Sequence, residues 1–182
     1  MPGVRIIKSV LPVLLILAFM LGGCSYYFPH VYEGSTKKIY MPTWKNRTSN
    51  LGLDTKIYQS LARWFQKSQS IVLIKEKAEA DLILAGEIVS IDLPSIAWNA
   101  GSRATEVKVR LNVRYILKDL QTDEILWEVP REMWTEEYST RGGSTAITEN
   151  EKEALDQILE ELSERLYMGT LDRLRRLNMK AR

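Results

Sequence analysis

The chain has few residues whose chemistry could support catalysis. It contains one cysteine, Cys24, and one histidine, His30, which lie close together near the N-terminus. A zinc site of the usual Cys/His type therefore lacks ligands, and a Ser-His-Asp triad would depend on His30 alone. Gly142-Gly143 lacks the following Lys-Ser/Thr of a phosphate-binding loop. We therefore expect no catalysed reaction, no metal and no dissociable cofactor.

Carboxylates are the remaining candidates for chemistry. Glu160-Glu161 lie in a helical pattern beside Arg165, which predicts solvated charges on a helix face. Asp81 precedes an apolar strand and could act as a general base, but a turn residue that hydrogen-bonds to backbone is the favoured interpretation. A periplasmic hydrolase that uses Asp81 or Glu87 with another carboxylate is the functional interpretation that we rank last.

Cys24 follows a segment typical of a secretion signal. Two basic residues precede an apolar run over residues 10–20, and Leu21-Gly22-Gly23 leads into the cysteine. The run is too short for a comfortable spanning helix of about 20 residues, and Pro12 interrupts it. Leu-Gly-Gly-Cys resembles the lipobox of bacterial lipoproteins, whose cysteine receives a diacylglycerol and an N-acyl chain such as palmitate. We expect a signal peptide over 1–23 and a lipid anchor at Cys24.

The predicted mature chain is electrically neutral and consists of one domain. The signal holds two of the 25 basic residues and no acid, so 23 basic residues face 23 acidic ones. Nucleic-acid binding needs a basic excess, and we expect none. Residues 24–36 form a lipid-anchored tether and residues 37–182 a single domain. Ser25 follows the cysteine, which by the sorting rule of enterobacterial lipoproteins indicates the outer membrane, facing the periplasm.

The order of apolar patterns predicts an α+β domain. We expect strands over 38–42, 71–74, 80–91, 107–115 and 125–138, with residues 94–103 as a loop. Helical spacing starts at about residue 50 and again over 149–177. These elements fit two helices packed on one face of a mixed sheet of about four strands. Gly86 interrupts an apolar strand and predicts a bulge or a close approach.

Arginines in two loops form the candidate binding site. Arg103 lies in the 94–103 loop with Trp98, and Arg141 lies beside Gly142-Gly143. If both loops meet at one end of the sheet, they offer guanidinium groups for phosphate or carboxylate and a tryptophan anchor. Lys108, Arg110 and Arg114 line one face of an alternating strand, and a C-terminal basic cluster complements the helix dipole. Ordinary surface arginines remain an open alternative.

Several short motifs, in their order along the chain, resemble the LptE family of lipopolysaccharide-assembly outer-membrane lipoproteins. The resemblance covers essentially the whole mature chain. It rests on the lipobox Cys24 with Tyr26-Tyr27, the run Ile39 to Thr48, Leu51-Gly52-Leu53-Asp54, Ala80 to Ile88, Leu126-Trp127-Glu128, Tyr138, and Asn150-Glu151 with Ala154-Leu155.

The resemblance implies a plug inside the β-barrel partner LptD. Such a plug assists barrel assembly and delivery of lipopolysaccharide to the outer leaflet, without catalysing a reaction. Basic residues near a loop tip are implicated in lipopolysaccharide contact in the family, and by position Arg103 and Arg141, with Trp98, are the candidates here. An alternative is a homo-oligomeric lipoprotein subunit of another envelope assembly, such as a secretion channel.

Overall fold

The described residues form seven strands and two α-helices. The computed structural model describes residues 34–98, 101 and 104–180, and the side chains of 96–98, 104 and 180 are outside the description. The predicted signal 1–23, the lipidation site Cys24 and Arg103 therefore lie outside the described residues. The strands are β1 (Lys37–Tyr40), β2 (Lys45–Asn46), β3 (Ile71–Ile74), β4 (Leu82–Asp92), β5 (Ser95–Trp98), β6 (Ala104–Asp119) and β7 (Ile125–Ser139). The helices are α1 (Leu53–Gln66) and α2 (Ser144–Lys180), with a 3-10 turn at Lys77–Glu79.

All the described strands join one mixed sheet, in which β4 is the middle strand and β6 lies next to it. On one side β6 pairs antiparallel with β4 and β5, and on the other side with β7. β1 and β2 pair in parallel with the other edge of β4, and β3 pairs in parallel with β1. The predicted α+β class with two helices on a mixed sheet is confirmed. The sheet has seven strands and not about four, because β2 and β5 are too short to show a period.

The alternating side chains of the long strand β6 define two faces of the sheet, a covered face and an open face. Its apolar side chains alternate with polar ones, as the sequence predicts, and the apolar set is buried. That set is Val107, Val109, Leu111, Val113, Tyr115 and Leu117. We call their side the covered face. The other side, which carries Lys108, Arg110, Asn112 and Arg114, is the open face.

Both helices pack on the covered face and against each other. In α1 the residues Leu53, Ile57, Leu61 and Phe65 recur every four positions and are buried. α2 has 37 residues, about 55 Å of helix, while the 16 residues of β6 span about 53 Å. The helix starts at Ser144 rather than at 149, so it runs the full length of the sheet. Within the described residues, neither helix is long and apolar enough to cross a membrane.

Gly86 allows a tryptophan to lie flat on the covered face. A Cβ atom on Gly86 would stand 2.4 Å from the ring of Trp44, closer than atoms can approach. Trp44 is buried and stacks at 6.4 Å on Tyr115, the residue paired with Gly86 in β6. The predicted close approach is confirmed. The bulge in β4 falls slightly later, between Ile88 and Ser90.

Candidate functional site

The two predicted loops leave the sheet at the same end, which we call the tip. Trp98, the last residue of β5, pairs with Ala104 at the start of β6. Ser139 at the end of β7 pairs with Glu106, and the Thr140 N–H donates to the Thr105 carbonyl at 3.0 Å. The last residue of β5, the first residues of β6 and the last residues of β7 are therefore neighbours, and Arg141 follows β7 by two residues. The prediction that Trp98 lies in a loop is wrong. Trp98 is the last residue of β5, whose backbone pairs with β6.

Arg141 is exposed at the tip. Its backbone N–H donates to the Ser139 hydroxyl at 3.2 Å, which holds the start of the connection to α2. Arg103 immediately precedes β6, and neither its own position nor the side chain of Trp98 is described. The described backbone thus brings Trp98, the start of β6 and Arg141 to one end of the sheet. Its role in binding stays a prediction.

A second charged cluster lies on the open face around Glu87. This carboxylate is only 6% exposed. Arg114 on β6 donates its Nε–H to Glu87 Oε2 at 2.7 Å and also forms an ion pair through Nη2. Arg47, just after β2, forms an ion pair with the other carboxylate oxygen. Glu87 is thus held between two guanidinium groups, one from β6 and one from the residue that follows β2, and these offset the cost of burying its charge.

Polar contacts continue from this cluster across the open face. Asn112 donates to the Ser90 hydroxyl at 3.0 Å, and its carbonyl oxygen accepts from Arg131 Nε at 3.4 Å. Nearer the tip, Lys108 forms an ion pair with Glu137 on β7 at 2.8 Å. A row of cationic side chains therefore runs along β6, with acids of β4 and β7 beside part of it.

Two further carboxylates link elements on the helical side. Glu160 of α2 accepts hydrogen bonds from Arg63 and Trp64 of α1, each at 2.9 Å, and from the Ser60 hydroxyl. Burial alone would raise the pKa of Glu160, but the hydrogen bonds from Ser60, Arg63 and Trp64 outweigh it and hold the pKa below its usual value. Glu160 remains 45% exposed, as expected of a charge on a helix face, but its partners lie on α1 and not within its own helix.

Glu132 on β7 is the second of these carboxylates. It accepts a hydrogen bond from the Tyr115 hydroxyl at 2.6 Å and pairs with Arg165 of α2 at 3.0 Å. Burial, and then the contact with Glu132, raise the pKa of Tyr115 well above its usual value. This set ties β6, β7 and α2 together and contributes to the fold.

The described residues give no support to a hydrolytic site. Asp81 accepts a hydrogen bond from the backbone N–H of Lys38 at 2.8 Å, so its carboxylate bonds to backbone as expected, but it joins β1 to the start of β4 and does not close a local turn. Glu87 is occupied by two arginines. Within the described part of the chain, no group of three or more His, Cys, Asp or Glu residues could hold a metal ion.

The sequence does not indicate the Glu87 cluster, although Glu87 and Arg114 are noticeable in it for other reasons. An acid inside the apolar run of β4, on the side opposite Leu84 and Ile88, was the available signal. Arg47 could not be found in this way, because β2 is only two residues long and its pairing with Glu87 and Ile88 depends on the fold.

Known proteins resemble this chain in sequence pattern and in fold. The family model LptE, described as lipopolysaccharide assembly, matches residues 36–168. No curated protein matches in sequence. Among solved structures, a protein from Xanthomonas campestris is 12% identical, with 82% of this chain and 92% of that chain covered and a TM-score of 0.57.

Two solved lipoproteins share the fold to a similar extent. The rare lipoprotein B from Shewanella oneidensis is 8% identical, with 79% of this chain and 98% of that one covered and a TM-score of 0.55. An uncharacterized lipoprotein B from Nitrosomonas europaea is 13% identical, with 80% and 89% covered and a TM-score of 0.55. At these identities the structures establish likeness of fold alone. The match of the family model over most of the domain shows that the chain belongs to the LptE family of lipopolysaccharide-assembly proteins.

Proposed function

We propose that this protein is an outer-membrane lipoprotein, anchored through lipid on Cys24 and facing the periplasm, that acts as plug and assembly partner of an LptD-type β-barrel. In this role it helps to deliver lipopolysaccharide to the outer leaflet and catalyses no reaction. Membership of the LptE family supports the general role in lipopolysaccharide assembly. The observation that carries the plug role is the polar open face along β6.

A plug needs a surface that suits the inside of a barrel. The lumen of an outer-membrane barrel is polar, so a plug gains from charged and hydrogen-bonding side chains that stay accessible after folding. Arg110 and Arg114 are exposed on the open face, while the apolar residues of the same strand lie under the helices. The domain thus buries its apolar face itself and leaves a polar face for a partner.

Lipopolysaccharide binding is proposed at the tip. Arg141 is exposed there, Trp98 ends β5 at the same end of the sheet, and Arg103 immediately precedes β6 in the sequence. Guanidinium groups bind phosphate in a bidentate manner, and lipopolysaccharide carries phosphate groups. A tryptophan beside them would supply an apolar contact.

The first experiment is affinity purification of the full-length lipoprotein from outer membranes through a C-terminal tag. The eluate is analysed by mass spectrometry and by native mass measurement. We expect one large β-barrel protein in equimolar amount. An eluate with only self-oligomers would refute the plug role and favour a homo-oligomeric subunit of a secretion channel.

The tip is tested by charge reversal. Arg103→Glu together with Arg141→Glu should weaken lipopolysaccharide binding by roughly tenfold or more, because both charge-assisted contacts are replaced by repulsion. The thermal unfolding midpoint should stay unchanged, since Arg141 is exposed. A matched control is Lys152→Glu on the exposed side of α2. Unchanged binding at moderate salt would remove the tip from the proposal.

A further inference from the structure

The two halves of α2 carry opposite charge. Residues 144–164 hold seven acidic residues and one basic residue, whereas residues 165–180 hold five basic residues and one acidic residue. The net charge therefore changes from −6 to +4 along a single helix. We call residues 165–180 the basic half. An ordinary solvated helix intersperses its charges, so this separation indicates attraction to an anionic partner at one end of the helix.

The basic half lies at the end of the sheet opposite the tip, which we call the base. α2 starts at Ser144, soon after β7 ends at the tip, and by Gly169 it has reached Trp127 near the start of β7. A Cβ atom on Gly169 would stand 2.3 Å from the ring of Trp127, so the glycine lets the indole pack directly on the helix. α2 thus runs from the tip to the base and carries its positive residues there.

The chain that leads from the predicted lipid anchor joins the sheet at the base. β1 begins at Lys37, and its residue Ile39 pairs with Leu82, which in turn pairs with Asp119 at the end of β6. The chain between Cys24 and Lys37 can span at most about 45 Å. Acylation of Cys24 would therefore keep the base, rather than the tip, close to the membrane surface.

We propose that the basic half of α2 docks on the anionic phospholipid headgroups of the membrane leaflet that holds the lipid anchor. This inference rests on the acylation of Cys24 and the outer-membrane location of the proposed function. It adds a contact between protein and phospholipid on the helical side of the domain, away from the open face and the tip. A plug that enters a barrel tip first leaves its base at the mouth of the barrel, at the level of those headgroups.

The arginines of the basic half remain accessible after folding. The side chains of Arg165 and Arg176 are 58% and 64% exposed, and that of Arg173 is 33% exposed. Arg165 is paired with Glu132, whereas Arg173 and Arg176 share the carboxylate of Asp172 at 2.8 and 3.0 Å. One carboxylate between two guanidinium groups leaves net positive charge. Clusters of about four to eight cations are typical of surfaces that bind anionic lipid.

Acidic residues also lie at the base, on the turn between β6 and β7. Residues 118–124 hold one basic residue and three acidic residues, so together with the basic half they still leave a net charge of +2. Asp123 pairs with Lys118, and Asp119 accepts hydrogen bonds from two backbone N–H groups of the turn. The positive charge is therefore on the α2 side of the base, and we expect this side to face the headgroups.

The surface beside these arginines suits the boundary between headgroups and acyl chains. Met179, near the end of α2, is 69% exposed. A cleft along the helix is lined by Trp127 and Met168 together with Arg173 and Arg175, and the Arg173 guanidinium lies 5.2 Å from the centre of the Trp127 ring. Side chains that combine an apolar body with a polar end are favoured at this boundary. A small free anion would leave Met179 in water, so the combination favours a lipid surface.

A single fluorophore tests the docking in vesicles. Cys24 is the only cysteine of the chain, so once it is acylated Met179→Cys supplies one reactive thiol at the base. Leu93→Cys, an exposed apolar position just after β4 on the side of the tip, is the matched control. The full-length acylated protein is reconstituted into vesicles of phosphatidylcholine, with or without phosphatidylglycerol. The vesicles also contain a phospholipid that carries a spin label on its headgroup and quenches nearby fluorophores.

We expect strong quenching of the fluorophore at Met179→Cys when phosphatidylglycerol is present. Quenching should be much weaker in phosphatidylcholine alone and at high salt, because the attraction is electrostatic and salt screens it. The fluorophore at Leu93→Cys should be quenched weakly in both kinds of vesicle. This difference would show that the domain meets the anionic surface with its base.

Removal of charge from the basic half should undo the docking. In the Met179→Cys chain, Arg175→Gln together with Arg176→Gln should lower the ratio of docked to undocked domains about tenfold or more. The matched control is Arg63→Gln together with Lys152→Gln, which removes two exposed cations elsewhere on the helical side and should leave the quenching unchanged. Thermal unfolding of each variant checks that it folds, and the salt dependence of the unaltered basic half tests the inference independently.

Three outcomes would overturn the inference while leaving the plug role in place. The first is equal quenching at Met179→Cys with and without phosphatidylglycerol, and the second is equal quenching at Met179→Cys and Leu93→Cys. The third is loss of the barrel partner by the Arg175→Gln and Arg176→Gln chain with its quenching unchanged, which would make the basic half a protein contact. Failure of the proposed function is recognised separately, by the absence of a barrel after affinity purification or of acyl groups on Cys24 by mass spectrometry.

Discussion

The covered and open faces of the sheet differ in what their side chains contact. Along β6, Leu111 lies under the helical layer with no exposed surface, while the adjacent Arg110 is exposed on the other side. Apolar burial is the main source of stability, so the covered face should determine whether the chain folds. Exposed charges of the open face, such as Arg110, can change at little cost to folding. It is therefore where binding can be altered without loss of the structure.

The largest effect is expected from truncation on the covered face. Leu111→Ala should lower the free energy of unfolding by about 3 kcal/mol, because it removes buried methyl groups and leaves a cavity. Arg110→Ala, one position away on the same strand, should change it by less than about 0.5 kcal/mol. Urea denaturation of both variants measures the difference. Similar losses in the two variants would show that the open face is covered in the isolated protein.

A smaller effect is expected where a glycine permits close packing on the covered face. Gly86→Ala should lower the free energy of unfolding by about 1 to 3 kcal/mol, since the new methyl group would overlap the ring of Trp44. Gly143→Ala is the control, because nothing lies within 4 Å of its Cβ position. Thermal unfolding of both variants gives the comparison, and a Gly86→Ala protein as stable as the wild type would contradict the placement of Trp44.

The smallest expected change in the free energy of unfolding is at Glu160, where the two helices meet, and it depends on pH. The folded-state pKa of Glu160 is lowered, so its contribution to stability is full above its ordinary value of 4.5 and is lost as pH falls through the folded pKa. Glu160→Gln should cost about 1 kcal/mol at pH 7, and the difference from the wild type should shrink as pH falls below about 4.5. Glu161→Gln, an exposed neighbour, should keep the pH dependence of the wild type. A constant difference between pH 7 and pH 3 would contradict the proposed contacts.

Patterns within one element predicted much of this fold. The alternation in β6 and the helical spacing in α1 depend on residues close in sequence, and the structure agrees with both. Asp81 bonds to backbone as expected, but its partner Lys38 is 43 residues away in the chain. The extent of α2 was underestimated at its start, because residues 144–148 carry little apolar periodicity. The strand β5 was missed since its four residues gain their structure from pairing with β6.

The charged contacts were much less accessible from sequence. Glu160 stands near Arg165 and Lys152 in the chain, yet its partners are Ser60, Arg63 and Trp64 on another helix. Glu87 likewise meets Arg47 and Arg114 only because three strands align. Charged residues carry no periodic signal that identifies a distant partner, so such clusters follow from the topology. The tip could be predicted only in part. The sequence indicated its two loops, but the strand register was needed to show that β5 and β7 end where β6 begins.

α2 follows all the described strands of the sheet in the chain, and this order has a consequence for biogenesis. During synthesis the strands emerge first, and the hairpin of β6 and β7 can form early because its pairing is local in sequence. The helix that covers much of this hairpin emerges last. Until then Val109, Leu111 and Val113 remain in contact with water, and a partly made chain is prone to aggregate. Chains truncated before Ser144 should therefore be degraded or bound by chaperones, even if their strands pair correctly.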